Sequence, residues 1–197
     1  MHASHELITS SEYLHVRVLL GMIVGLGLTH LLQNLALMIE RPRHKQVYWV
    51  HLVWSLSVFL YLLSFWWWEF RLAHLQAWNF NLYLFVTLYA LLLYLLCAIV
   101  FPKDVSDYAD WETYFFARKS WFFSLLAMAY AADLVDTFIK GHDYFSSFGW
   151  EMPVRSAAYV ILSLVAIATS NRTFHATFAV VGLLYQLAFI VRQFEVL

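Results

Sequence analysis

His30, Asp133 and Asp136 stand inside stretches of sequence otherwise too apolar to leave lipid. An ionisable side chain deep in a bilayer costs roughly 2.5–3.5 kcal/mol or more unless it faces a partner or water, so each is a functional candidate by default. Lys140 follows Asp136 by one helical turn and is well placed to form a structural ion pair with it. That leaves Asp133 without an obvious local partner. His30 shares a helix face with Asn34. A histidine and an unpaired aspartate within reach of each other in low dielectric could take up and release protons during a transport cycle. The plainer alternative is that His30 bonds Asn34 or a neighbouring helix and that Asp133 is solvated near the interface.

Two polar stripes could extend such a path. Tyr83, Thr87, Ala90 and Tyr94, and likewise His175, Ala179, Gly182 and Gln186, recur at offsets of four, seven and eleven, which follow one face of a helix. An ion or solute pathway would then use His30, Asn34, Asp133, Asp136, His175, Gln186, Tyr83 and Tyr94. His51 and His175 enter from the same side at similar depth and could ligate a haem b iron, but no Cys-x-x-Cys-His is present for covalent attachment. No other cofactor and no metal is expected. Asp104, Asp107 and Asp110 could be read as a carboxylate cluster, although acidic residues ahead of a helix are ordinary dipole partners. The run Trp66-Trp67-Trp68-Glu69 could form half of an aromatic cage for a quaternary ammonium or an interfacial anchor. Hydrolase, zincin and P-loop motifs are absent, so nothing marks an enzyme.

The elements that must carry these residues are membrane helices. With 62% hydrophobic and 13% charged residues and a mean hydropathy of +0.66, the chain lies far from soluble composition. The sequence predicts an all-α integral membrane protein in which 1–197 form a single transmembrane domain. Its bundle of about six helices covers approximately 16–38, 47–68, 80–101, 120–139, 153–169 and 173–191. Pro102 and Pro153 fall at the boundaries, where a missing N–H costs least. The turn Ser170-Asn171-Arg172 is tight enough to make the last two helices an antiparallel hairpin. The N-terminus lacks the basic region and cleavage site of a secretory signal, so the first helix is expected to remain. Cys97 has no second cysteine to pair with. A net charge of −1 offers no surface for nucleic acid.

Alternate loops divide the cations into Arg41, Arg43, Lys45, Lys103, Arg118, Lys119 and Arg172 on one side and Arg17, Arg71, Lys140, Arg155 and Arg192 on the other. The positive-inside rule then places both termini outside, in a bacterial inner (plasma) membrane. Polar positions in the first and third segments match those in the fourth and sixth, which suggests a 3+3 inverted repeat of the kind secondary transporters use. Gly21, Gly25 and Thr29 form a small-residue face for helix packing, within the chain or in a homodimer. These features together imply a small inner-membrane transporter or channel for protons or a small polar solute. The alternatives are a non-catalytic accessory subunit that binds membrane lipids or a larger complex, and a haem or quinone redox protein.

Overall fold

A computed structural model describes residues 2–40, 46–75, 78–102 and 107–194, without the side chains of 2–12, 74 and 194. Arg41, Arg43, Lys45, Lys103 and Asp104 lie outside the described residues, as does the side chain of His74. The described chain is helical: α1 (His2–Glu40), α2 (Trp49–Trp68), a 3-10 helix (Glu69–His74), α3 (Phe80–Val100), α4 (Trp111–Ile139), α5 (His142–Ser147), α6 (Glu151–Ala168) and α7 (Arg172–Phe194). Six of these, all but the 3-10 helix and α5, are long and apolar enough to cross a bilayer.

Their apolar residues extend all the way round, as lipid-facing helices require. On α1, Val16, Leu20, Ile23, Val24 and Leu31 are buried, while Leu14, Val18, Met22 and Leu26 form an exposed row one turn apart. Hydrocarbon, not water, is the solvent that tolerates such a row. α4 starts nine residues before the expected 120, because Asp110 caps it by accepting from the Thr113 N–H at 2.7 Å. The added turns carry Glu112, Arg118 and Lys119 and so lack an apolar signature. At the far end of the hairpin Lys119 Nζ donates to the carbonyls of Thr169 and Ile167, closing the C-terminus of α6.

α4 packs mainly on α6, α1 on α3, α3 on α4 and α2 on α7. The helices thus have different principal neighbours in the two halves of the chain. Rings fill the middle: Trp54 meets Phe122, Phe123 and Phe178 edge-on at 5.0–5.4 Å, and Tyr130 stacks on Tyr159 at 3.9 Å. The glycine that permits close approach on α1 is Gly27, where a Cβ would lie 2.9 Å from Leu62 and 3.4 Å from the Cys97 sulfur. Of the expected small-residue face, Gly21 packs under Trp66, whereas Gly25 has no neighbour and Thr29 is exposed.

Because successive spans alternate in direction, the C-termini of α2, α4 and α7 and the N-termini of α3 and α6 gather at one end of the bundle. Glu69, Lys140 and Glu151 mark this ionic end. The opposite, histidine end holds His30, His51 and His175.

Candidate functional site

At the ionic end three spanning helices or their ends bring charged side chains together out of solvent, and α3 adds a tyrosine. α2 finishes at Trp68, and the next residue, Glu69, caps it by donating its backbone N–H to Phe65 O. This turn points the Glu69 side chain inward, where the residue is only 3% exposed. Lys140 caps α4 with a backbone bond to Asp136 O at 3.1 Å and folds its stem back over the last turn. Its ammonium donates to Glu69 Oε1 at 2.7 Å and to Asp136 Oδ2, and all three side chains are at most 4% exposed. From α6, Arg155 donates to Asp133 Oδ2 and lies 4.2 Å over the Phe189 ring of α7. α3 supplies Tyr89, whose hydroxyl donates to Asp133 Oδ1 at 3.3 Å and meets the Tyr61 hydroxyl of α2 at 3.0 Å.

Three carboxylates therefore face two cations. With every group ionised the cluster carries one surplus negative charge. Among the described residues Glu69 Oε2, Asp136 Oδ1 and Arg155 Nε of this cluster are buried without a hydrogen-bond partner, and the two oxygens belong to carboxylates whose other oxygen is on Lys140. A void of about 10 Å³ beside Asp133, Asp136, Lys140 and Arg155 is large enough for about one water molecule. Lys140 lies just past the end of its span. Burial opposes its charge, but Asp136 and Glu69 more than offset that and hold its pKa above the usual lysine range.

The expected meeting of His30 and Asp133 does not occur. His30 Nε2 donates to Phe101 O at 2.6 Å at the C-terminus of α3, and Asn34 donates to His30 O at 2.8 Å. Asp133 is held from the same helix by Tyr89, twelve residues away, so about 18 Å of helix separates the two sites. Nor is Asp133 unpaired, since Arg155 reaches it from the neighbouring helix. The other expected path residues are dispersed. Gln186 donates to Ser57 O at 3.1 Å, Tyr83 packs on Phe80, and Tyr94 lies beside Gly27. His175 donates to Thr169 O within a box made by Phe115, Phe116, Phe123 and Phe174.

His51 sits in a separate cage of Phe101, Trp111 and Tyr114. Around both histidines considered for a haem, His51 and His175, aromatic rings pack directly on the imidazole. The aromatic run that ends α2 also has an occupant from this chain: Arg17 lies 4.1 Å over Phe70 and 5.8 Å from Trp66. Among the described residues no group of three or more His, Cys, Asp and Glu could hold a metal ion.

Comparison with protein-family models, curated proteins and solved structures gives no match. Of the cluster's members, Arg155 is not among the site residues the sequence suggests, and Glu69 enters there only as the end of the Trp66-Trp67-Trp68-Glu69 run. Strand-free topology contained the signal for both, because the start of the fifth span adjoins the end of the fourth, and the ends of the second and fourth spans share a side.

Proposed function

We propose that this chain is a small proton-coupled membrane protein of the transporter or channel class, in which the Glu69–Asp136–Lys140 group binds and releases one proton. The observation that carries this reading is the surplus carboxylate in a site withdrawn from water. A single proton brings the cluster to neutrality. Placed between Glu69 Oε2 and Asp136 Oδ1, it would also satisfy two buried oxygens that otherwise have no partner. The proton enters from the ionic end, where Lys140 and Tyr144 lie beside the void. From Asp133, the Tyr89 and Tyr61 hydroxyls continue the hydrogen-bonded chain toward the middle of the bundle. Beyond them Trp54, Phe122, Phe123 and Phe178 block the way to the histidine end. Movement of a solute across this block requires a second arrangement of the helices, as alternating access does.

The cation distribution supports an orientation with the histidine end in the cytoplasm of a bacterial inner membrane. On the ionic side, Lys140 and Arg155 are consumed in buried pairs, which leaves Arg17, Arg71 and Arg192 as that side's remaining cations.

The test is proton flux into liposomes loaded with a pH-sensitive dye after an imposed pH step. Wild-type protein should carry protons above the lipid background, Glu69→Gln and Asp136→Asn should abolish the excess, and Arg172→Ala should keep it. Wild-type flux at background level would remove the proposal.

A further inference from the structure

Away from the ionic contacts, α6 and α7 diverge and leave a slot of about 560 Å³, within the roughly 300–1,000 Å³ typical of small-ligand sites. Leu162 and Phe174 are its lining residues nearest the turn that joins the two helices at the histidine end. Tyr159, whose hydroxyl donates to Gly182 O at 2.8 Å, forms the floor. Ala158, Leu162, Phe178 and Val181 make the walls apolar. Polar groups gather at the ionic end, where Glu151 accepts from Tyr185 at 2.8 Å and from Arg192 at 2.5 Å.

Along α7 the slot runs from Phe174 to Tyr185, about 16 Å at 1.5 Å per residue. That is roughly the depth of one hydrocarbon leaflet and about half of what a spanning helix needs. An apolar slot of this length with polar groups at one end matches a single alkyl chain with its head at the ionic end. Glu151 does not bar an anionic head, because Arg192 already neutralises it. Arg155 lines both this slot and the small void of the ionic cluster.

We propose that the slot binds a single-chain amphiphile with an anionic head, and that the head takes Arg155 from Asp133 while Asp133 accepts a proton from the aqueous phase. Charge balances in the exchange: an Arg155–Asp133 pair and a free anion become an Arg155–anion pair and a neutral Asp133. This deepens the proton-coupled reading, on which it rests, by naming the class of solute. The groups facing Asp133 and Arg155 are Tyr61 of α2, Tyr89 of α3, and Tyr130, Asp136 and Lys140 of α4. Tyr144 of α5, Tyr159 of α6, Glu69, and Tyr185 of α7 beside Phe189 also face the pair.

Binding of dodecanesulfonate, laurate, dodecyl phosphate and dodecanol to the full chain in phosphatidylcholine nanodiscs tests the proposal. The anions should bind at least tenfold more tightly than dodecanol, and comparing laurate with dodecyl phosphate shows which head is preferred. Affinity for the permanently charged sulfonate should rise as pH falls, by at most tenfold per unit, since one proton is taken up with it. Asp133→Asn should bind the sulfonate more tightly and without this pH dependence. Arg155→Gln should lose the preference for anions, and Ala158→Trp, which fills the slot, should lose all four ligands.

Dodecanol binding as tightly as the anions, or an Asp133→Asn chain no tighter than wild type, would overturn the exchange. Absence of any binding, with two copies found together by native mass spectrometry, would assign the slot to an interface between copies instead. Wild-type proton flux at background level with amphiphile binding intact would overturn the proton-coupled reading alone, whereas flux lost in Glu69→Gln with no amphiphile bound by the wild-type chain would overturn the slot proposal alone.

Discussion

Replacing Lys140 with methionine removes the one cation that two buried carboxylates share, while keeping most of the apolar stem. The ammonium makes two bonds to ionised groups, with all three side chains at most 4% exposed. Hydrogen bonds to charged groups contribute about 1.5–3 kcal/mol each, and removing one partner of a buried pair costs about 3–5 kcal/mol because the remaining charge is stranded. Lys140→Met should therefore lose about 3–5 kcal/mol in reversible unfolding by denaturing detergent in mixed micelles. Arg172→Ala is the control: it breaks a pair in which the arginine is 78% exposed, and exposed pairs contribute about 0–1 kcal/mol. Adding Glu69→Gln and Asp136→Asn to Lys140→Met removes the stranded charges and should recover most of the loss. If Lys140→Met cost no more than Arg172→Ala, the cluster would be effectively solvated and the charge argument would fail.

Other residues give sharp expectations. Gly27→Val should destabilise the protein by about 1–3 kcal/mol in the same assay, because its side chain meets Leu62 and Cys97, whereas Gly25→Ala, with open space around it, should be close to neutral. Tyr159→Phe should cost about 0.5–1.5 kcal/mol through loss of the bond to Gly182 O. Backbone hydrogen bonding from Thr113 holds the Asp110 carboxyl below its usual pKa. Its contribution to α4 is thus present above the unfolded value of about 3.9 and fades as pH falls through the lower folded one. The protection factor of the Thr113 amide against hydrogen exchange should fall correspondingly in acid, and at neutral pH in Asp110→Ala. The pKa of Lys140 is raised by Asp136 and Glu69, so its stabilisation should be complete below about pH 10.4 and be lost progressively as the pH rises from there through the folded value, as unfolding at graded alkaline pH would show.

Apolar runs made the six spans legible to within a few residues, since lipid imposes length and hydrophobicity together. The start of α4 escaped because Glu112, Arg118 and Lys119 resemble a loop until the Asp110 cap is recognised. The pairing of His30 with Asp133 was an error of direction. Both stand toward the C-terminal ends of their spans, and the first and fourth spans run oppositely, so the residues had to lie at opposite ends. The same parity brings Arg155 to Asp133 and Glu69 to Lys140. What no pattern could supply was rotation about each helix axis, which turns Glu69 inward after three tryptophans. Such rotation is set by packing against neighbours that are distant in the sequence.

Infrared spectroscopy of the full chain in liposomes at neutral pH addresses the buried proton most directly, through the C=O stretch of a protonated carboxyl group. A proton shared by Glu69 and Asp136 predicts such a band in wild type, abolished or displaced in both Glu69→Gln and Asp136→Asn. No band in wild type, or a band unchanged in both variants, would contradict the account.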